Sequence, residues 1–264
     1  MPVFSIDGTL CSEHDASISV MDHGLLYGDG IFEGLRFYNR RIFKLEAHLE
    51  RLFDSARALL LVIPMQLEDL VSALNEAMLK SSQQNGYIRL VITRGEGALG
   101  IDPSTCVKPR VIIIVDELKM VDSVVLEKGA SLIISSIRRL QSDQIDPRIK
   151  SLNYLNQTLA RLEANSAGAD EAIMLNNQGR IAEGTVDNIF IMKGGSLYTP
   201  PLFEGSLGGI TRETVISIAH TLGIDMVESP LTPFDLYTAD ECFLTGTGAE
   251  LIPVKEVSGR QISV

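Results

Sequence analysis

The sequence predicts a two-domain protein of mixed helices and strands, in the α+β and α/β classes. With 264 residues, of which 45% are hydrophobic, the chain can bury one large core or two modest ones. Strand-like and helix-like segments alternate in both halves. Regular patterning is interrupted near the middle of the chain. We therefore predict a small N-terminal domain over 1–118, an interdomain linker over 119–125 and a larger C-terminal domain over 126–264.

In the first half, short apolar runs and helical periodicity predict the elements. Residues 30–38 and 42–43 read as two strands joined by a short turn, and residues 46–61 as a helix. The helix places these residues on one face: Leu49, Leu52, Phe53, Ala56 and Leu60. A second helix over 67–84 is followed by strands over 87–93 and 110–115.

The second half repeats the mixture in a different order. The predicted strands span 131–137, 171–175, 180–182, 189–192, 196–199 and 241–245. The predicted helices span 153–167 and 211–222.

Composition narrows the class of protein. A formal net charge of −11 repels a nucleic-acid backbone, so nucleic acid is not expected as a partner. The longest apolar stretches, 59–63 and 111–115, are far shorter than the roughly 20 residues of a membrane span. The N-terminus has no signal-peptide pattern, and three widely spaced cysteines indicate neither a disulfide framework nor a metal site. We expect a cytoplasmic protein without a membrane partner.

A glycine-rich loop, GEGALG at 95–100, has the spacing of a dinucleotide-binding loop. Such a loop needs a helix after its third glycine, because the helix N-terminus holds the pyrophosphate. Here Pro103 and a further strand follow. The context is therefore strand, loop, strand, and it argues against NAD binding.

Two segments place isolated polar residues among apolar ones. In 147–154, Lys150 ends an extended stretch and Tyr154 begins a helix. In 180–190, Glu183 lies between apolar strand segments. Taken alone, the lysine is more typical of a surface residue and the glutamate of a solvated turn residue, and Tyr154 could simply pack against the helix.

Two further segments could bind an anion. In 208–215, two glycines lead into a helix, and the first turn offers free N–H groups and the Thr211 hydroxyl. The alternative is an ordinary helix start with Thr211 as the cap. In 245–249, glycines flank Thr247 and could form a second set of N–H donors or only a tight turn.

Taken together, five ordered motifs between residues 20 and 256 carry a resemblance. They are Tyr27-Gly-Asp-Gly-Ile-Phe-Glu-Gly34, Lys150-x-x-Asn-Tyr154, Glu183-Gly-x-x-x-Asn188, Gly209-Ile-Thr-Arg212 and Thr245-Gly-Thr-Gly-Ala-Glu250. They resemble the class IV, or fold type IV, pyridoxal-phosphate aminotransferases, and most of all the branched-chain amino-acid aminotransferases. This family has two domains with the cofactor between them. The chain ends at residues 262–264, where relatives usually continue with a further helix.

The resemblance implies a site for pyridoxal 5'-phosphate, with Lys150 as the catalytic residue that forms an imine with the cofactor. The cofactor-binding residues it implies are Arg51, Lys150, Tyr154, Glu183, Ile210, Thr211, Gly246 and Thr247. Glu183 would face the pyridine nitrogen, and Tyr154 the phenolic oxygen of the ring. The substrate-binding residues it implies are Tyr27, Phe32, Gly34, Arg36, Tyr87, Arg89 and Gly248. Arg89 has a second interpretation, as an ordinary strand arginine facing solvent.

The predicted function is transfer of the amino group of a branched-chain L-amino acid to 2-oxoglutarate. The resemblance also implies a homodimer or higher homo-oligomer, with the loop at 95–102 closing over the active site of a neighbouring subunit. Two alternatives stay open. One is a D-amino-acid or R-selective amine transaminase of the same fold, and the other is a module that binds a phosphate ligand without catalysis.

Overall fold

The computed structural model of the protein describes residues 1–118 and 123–263. The chain forms two compact units. The first contains residues 1–118 and 149–153, and the second contains the described residues of 119–148 and 154–264. Of the predicted linker, residues 119–122 lie outside the described residues, and residues 123–125 begin a helix.

The first unit is a six-stranded antiparallel sheet with helices on one face. Its elements are β1 (Val3–Ile6), β2 (Thr9–Cys11), α1 (His23–Tyr27), β3 (Gly30–Tyr38), β4 (Arg41–Ile42), α2 (Leu45–Ala58), α3 (Leu67–Lys80), β5 (Gly86–Thr93) and β6 (Arg110–Asp116). A 3₁₀ turn, Pro103–Thr105, lies between the last two strands. The strand order is β2-β1-β6-β5-β3-β4.

Alternate residues of β3 and β5 form the core beneath α2 and α3. Leu35, Ile88 and Leu90 are fully buried, and they belong to one cluster with Leu52 of α2 and Leu74 of α3. Because side chains alternate along a strand, the residues between these positions lie on the opposite face of the sheet. That face carries the predicted substrate residues of β3 and β5.

Segment 149–153 joins this unit by pairing with the start of β3. The N–H of Phe32 donates to the carbonyl of Lys150 at 3.0 Å, and the N–H of Leu152 donates to the carbonyl of Gly30 at 2.9 Å. A Cβ on Gly30 would lie 2.6 Å from both the Ile92 carbonyl oxygen and Cδ1 of Leu152. Glycine is therefore required where segment 149–153 crosses β3.

The second unit is built on a nine-stranded mixed sheet. Its elements are α4 (Ser123–Lys128), β7 (Ala130–Arg138), α5 (Leu155–Ser166), β8 (Glu171–Leu175), β9 (Ile181–Glu183), β10 (Asn188–Lys193), β11 (Ser196–Thr199), α6 (Ile210–Thr221), β12 (Met226–Glu228), α7 (Pro233–Tyr237), β13 (Glu241–Gly246), β14 (Glu250–Val257) and β15 (Arg260–Gln261), with a 3₁₀ turn at Leu202–Glu204. The order is β12-β11-β10-β13-β14-β7-β8-β9, and β15 pairs with β14. Neighbours are parallel at β7–β8, β7–β14 and β11–β12 and antiparallel elsewhere.

The predicted arrangement of the glycine loop is confirmed. β5 and β6 on either side of it pair as antiparallel neighbours, and only a short 3₁₀ turn lies between the loop and β6. Gly95 has φ +87°, and a Cβ there would lie 1.9 Å from the carbonyl oxygen of Lys108. The first glycine therefore serves a tight crossing of the loop, and no helix follows that could hold a pyrophosphate.

The expectation that Leu60 shares the buried face of the helix predicted over 46–61 is wrong. α2 ends at Ala58, and Leu60 has φ +49° and a side chain that is 85% exposed. Leu52, in contrast, is 1% exposed. The periodicity of apolar residues therefore continues past the physical end of the helix.

This difference gives a direct test of the packing. Leu52→Ala removes buried methyl groups and should lower the free energy of unfolding by about 2–5 kcal/mol. The matched change Leu60→Ala should alter it by less than about 0.5 kcal/mol, since its side chain lies in solvent. Urea unfolding followed by circular dichroism measures both, and equal losses would contradict the observed end of α2.

Candidate active site

A buried carboxylate organises the first unit around Arg51. Glu33 of β3 is 0% exposed, and it accepts hydrogen bonds from Arg51 through Nε at 2.7 Å and Nη2 at 2.8 Å. Nδ1 of His48, also 0% exposed, lies 2.8 Å from Oε2 of the same carboxylate. Because an ionised carboxylate only accepts hydrogen bonds, Nδ1 of His48 carries the proton.

The surroundings of Glu33 keep it ionised. Burial on its own raises the pKa of this carboxyl group, but the charge of Arg51 and the hydrogen bonds from His48 and Arg51 outweigh it and lower the pKa to about 2. The Arg51 guanidinium is held on two of its nitrogens, and its side chain is 14% exposed. The Arg51 guanidinium therefore lies at the edge of the core, and its orientation is fixed by Glu33.

Lys150 lies against the same strand and helix as this cluster. Its N–H is 3.3 Å from Oγ of Ser55, which lies one turn after Arg51 on α2. Its Nζ is 4.6 Å from the centre of the Phe32 ring. The first unit thus places the backbone of Lys150 against the helix that carries Arg51, although these two predicted cofactor-binding residues are far apart in the sequence.

The predicted substrate residues of β3 and β5 form one patch. Gly34 lies opposite Arg89 in the register, and Arg36 lies opposite Tyr87. Cζ of Arg89 is 4.6 Å from the Phe32 ring centre and 5.4 Å from that of Tyr87. A Cβ on Gly34 would lie 2.0 Å from the Tyr87 hydroxyl, so the glycine makes room for the tyrosine.

Tyr27 contacts the glycine loop. Its hydroxyl oxygen accepts a hydrogen bond from the N–H of Gly100 at 2.8 Å. Nε2 of His23, on the same short helix, lies 2.9 Å from the carbonyl oxygen of Ala98. α1 therefore anchors the loop at two points.

In the second unit, Glu183 is held by a set of buried donors. It is 5% exposed and accepts hydrogen bonds from Nε of Arg139 at 2.8 Å and from the N–H of Leu207 at 2.9 Å. Nδ2 of Asn188 is a longer donor at 3.4 Å. With its amide oxygen facing Arg139, Gln157 accepts from Nη1 at 2.9 Å. These contacts fix the orientation of the carboxylate that the resemblance assigns to the pyridine nitrogen.

The start of α6 has the arrangement of an anion site. Its N-cap is Gly209, which offers no side-chain hydrogen bond, so no N-cap side chain satisfies the amides of the first turn, where Ile210 and Thr211 lie. A Cβ on Gly209 would lie 2.0 Å from Oδ1 of Asn188. Because Thr211 is the second helical residue, its interpretation as the N-cap is wrong.

The segment after β13 is a hairpin turn. Thr247 and Gly248 lie in this turn, and Gly246 pairs with Glu250 to close it. A Cβ on Gly246 would lie 2.2 Å from Oδ1 of Asp187, so the glycine is required there. Within the described residues, the buried hydroxyl of Thr245 beside the turn has no hydrogen-bond partner.

Tyr154 immediately precedes α5 and is half-buried. It lines a cavity of about 590 Å³ in the second unit, together with Thr185 and Asp187 from the segment that follows β9. Tyr154 therefore borders a concave surface of its own unit.

Three polar residues that organise the site were missed from the sequence: Glu33, His48 and Arg139. For the first two a signal exists. Glu33 occupies the core-facing phase of an otherwise apolar strand, and a carboxylate there needs a cationic partner. His48 and Arg51, three residues apart on α2, supply it. Arg139 gives no such signal, because its pairing with Glu183 depends on the fold of the second unit.

Comparison with known proteins identifies the family of the chain. The profile of the family Amino-transferase class IV matches residues 30–257. The chain belongs to this family and is an aminotransferase, and the predicted enzyme class is confirmed.

The relatives extend over nearly the whole chain. A Methanocaldococcus jannaschii protein, named provisionally as a branched-chain-amino-acid aminotransferase, is 48% identical over 98% of this chain and 88% of its own length. The crystal structure of the Escherichia coli branched-chain amino acid aminotransferase has a TM-score of 0.95 at 34% identity, over 99% of this chain and 88% of that one. The branched-chain aminotransferase of Thermoproteus uzoniensis, solved with norvaline, has a TM-score of 0.93 at 38% identity, over 99% and 89%. The predicted fold type IV class is confirmed, and these names support the branched-chain type.

In the part of the chain that the structure describes, no helix is both long and apolar enough to cross a membrane.

The buried group of Glu33, His48 and Arg51, here called the Glu33 cluster, predicts a pH-dependent contribution to stability. The pKa of Glu33 is lowered from 4.5 to about 2 on folding, so its ionised form stabilises the protein fully above pH 4.5 and loses this effect as the pH falls toward 2. Glu33→Gln should therefore lower the melting temperature most near neutral pH, and the difference from the wild type should shrink below pH 4.5. Calorimetry across this range measures it. A difference that stays constant down to pH 2 would contradict the ionised cluster.

Proposed function

We propose that this protein transfers the amino group of a branched-chain L-amino acid to 2-oxoglutarate with pyridoxal 5'-phosphate as its cofactor. The observation that carries the proposal is the placement of Lys150 beside the helix that bears Arg51. An amine that can bond to an aldehyde and a guanidinium that can bind a phosphate are the two groups that this cofactor needs from the first unit.

The donor set of the second unit also fits a phosphate. The uncapped start of α6, with Ile210 and Thr211 in its first turn, offers N–H groups to an anion. Gly246 and Thr247 would add donors from the hairpin turn, where the buried Thr245 hydroxyl has no partner among the described residues. We propose that these groups of the second unit bind the phosphate of the cofactor, the role that we also propose for Arg51 of the first unit.

The remaining cofactor contacts would set the chemistry. When bound, pyridoxal phosphate supplies a sink for the electrons released as the bond between Cα and its hydrogen breaks. Glu183, held by Arg139, would keep the pyridine nitrogen protonated, and Tyr154 would hydrogen-bond the phenolic oxygen. Lys150 Nζ would carry the cofactor and move the proton at the substrate Cα.

The patch on β3 and β5 would bind the amino acid. Arg89 and Tyr87 would bind the substrate carboxylate, and the Phe32 ring and the space at Gly34 suit an aliphatic side chain. Arg36, which lies opposite Tyr87, would complete this wall. Tyr27 would border the pocket through its hydrogen bond to the glycine loop, and Gly248 would donate from its turn.

We further propose a cytoplasmic homodimer or higher homo-oligomer in which the loop 95–102 covers the active site of a neighbouring subunit. Two large apolar residues of this loop support the proposal. Leu99 is 77% exposed and Ile101 is 82% exposed. A loop that is anchored by α1 yet presents apolar side chains to solvent suits contact with a second chain.

The substrate assignment predicts a clear order of donors. With 2-oxoglutarate as acceptor, L-leucine, L-isoleucine and L-valine should each give glutamate at least about tenfold faster than their D-enantiomers, which requires only ~1.4 kcal/mol of discrimination between transition states. A coupled assay of glutamate formation measures the rates. Faster reaction of D-amino acids or R-amines would favour the alternative transaminases, and absence of any transfer with a cofactor-loaded protein would favour the binding module.

The lysine assignment has its own test. Borohydride reduction of the holoenzyme fixes the cofactor to the lysine that carries it, and peptide mass mapping should locate it on Lys150. Lys150→Ala should abolish both the label and turnover. The control Lys193→Ala changes an exposed contact, in which Nζ lies 2.7 Å from the Thr238 hydroxyl, and should preserve both. A label on another lysine would refute the assignment.

A further inference from the structure

The Glu33 cluster has a feature that packing alone does not explain. Two ionic or polar side chains, Glu33 and His48, are fully buried beneath a guanidinium that reaches the edge of the core. Apolar side chains of similar size would fill such a position at lower cost, because burial of charge carries a desolvation penalty. We therefore expect that the buried Glu33 and His48 serve to orient the residue bonded to Glu33.

Arg51 is that residue. An arginine side chain has many rotamers, and a phosphate site needs the guanidinium in one of them. Glu33 binds the Nε and Nη2 edge in the bidentate manner that fixes the plane of the guanidinium. His48, which donates from Nδ1 to Oε2, fixes the carboxylate in turn. The chain of contacts runs from the buried histidine through the glutamate to the arginine.

We propose that Glu33 and His48 are positioning residues that hold Arg51 in the orientation required to bind the phosphate of the cofactor. This inference rests on the proposed function, in which Arg51 is a phosphate ligand. It adds two residues that never touch the cofactor but set the affinity for its phosphate.

The test compares two ligands of the apoenzyme that differ only by the phosphate. Pyridoxal phosphate and pyridoxal are titrated separately, and binding is followed by absorbance. Glu33→Gln should raise the dissociation constant for pyridoxal phosphate by about tenfold or more, an effect of the size found when partners that orient metal ligands are removed. The dissociation constant for pyridoxal should change by less than about twofold, since its aldehyde and ring contacts remain. Far-UV circular dichroism of each variant establishes that it is folded.

A matched control comes from another bidentate pair of the same unit. Arg94 binds Asp29 through Nε and Nη2, both at 2.9 Å. Asp29→Asn removes a comparable carboxylate and should leave the ratio of the two dissociation constants unchanged. An equal loss of the preference for pyridoxal phosphate over pyridoxal in Asp29→Asn and Glu33→Gln would mean that loss of any such ion pair weakens phosphate binding, and it would overturn the proposal.

His48 gives a second route if Glu33→Gln does not fold. His48→Asn keeps an amide nitrogen near the position of Nδ1 and should retain the preference for pyridoxal phosphate, whereas His48→Leu removes the donor and should reduce it. Equal affinities in these two variants would contradict the role of the hydrogen bond. A uniform loss of affinity for both ligands in Glu33→Gln would show a structural role only.

Arg51→Met separates this inference from the function on which it rests. Loss of the phosphate preference in Arg51→Met but not in the Glu33 and His48 variants would overturn the positioning role and leave Arg51 as a ligand. Retention of the preference in Arg51→Met would overturn both assignments for this arginine. Labelling of Lys150 tests the cofactor independently.

Discussion

Two backbone hydrogen bonds, between Phe32 and Lys150 and between Leu152 and Gly30, place the candidate catalytic lysine. They attach a segment from the middle of the chain to β3 of the N-terminal unit. Side-chain contacts could not achieve this so firmly, because a lysine side chain is long and flexible. With the backbone fixed at both ends of the crossing, Lys150 lies against Phe32 and beside α2. Segment 149–153 can pack this closely on β3 only because Gly30 has no side chain.

The two faces of β3 carry residues with different roles. One face holds Arg51, and the other carries the predicted substrate residues. Glu33 points into the core, where it meets Arg51 and His48, while Phe32 and Gly34 face the other way toward Tyr87 and Arg89. This follows from the alternation of side chains along an extended strand. A shift of one residue in the register of β3 would turn Phe32 and Gly34 toward α2 and α3 and carry Glu33 to the opposite face, away from its partners. The apolar residues on the core face oppose such a shift, because each would lose its packing in the core cluster.

In the second unit, the analogous constraint is the enclosure of Glu183. Its carboxylate receives donors from Arg139, Leu207 and Asn188, which come from three different parts of the unit. Removal of one partner of such a buried pair usually costs about 3–5 kcal/mol, since the remaining charge stays buried. The amide of Asn188 also donates to the carbonyl of Leu207 and lies against the start of α6. One asparagine therefore links the carboxylate to the helix that would bind phosphate.

The sequence predicted those parts of the fold that depend on local patterns. β3 has its predicted bounds because its apolar run ends at turn residues, and β8 and β11 likewise match. The second helix ends at Lys80 rather than near residue 84, and the short helix Ser123–Lys128 was missed. Ends and short elements are decided by tertiary contacts that leave little periodicity.

The site divides in the same way. The resemblance predicts which residues would bear the chemistry, and the structure shows which of these candidates are neighbours within each unit. The partners that hold them, Glu33 for Arg51 and Arg139 for Glu183, come from distant segments. Sequence patterns could suggest only the pair of Glu33 and Arg51, because a charged residue at a buried strand position needs a partner. The pair of Arg139 and Glu183 depends on how β7 and β9 are placed in the sheet.

Amide hydrogen exchange at Phe32 and Leu152 tests the central constraint most directly. If their N–H groups donate to Lys150 and Gly30, both amides should exchange slowly, at rates comparable to those of the buried strand residues Ile88 and Leu90. Exchange at Leu152 as fast as that of the exposed loop residue Leu99 would show that segment 149–153 is not fixed to β3. It would remove the structural basis for placing Lys150 beside the helix that carries Arg51.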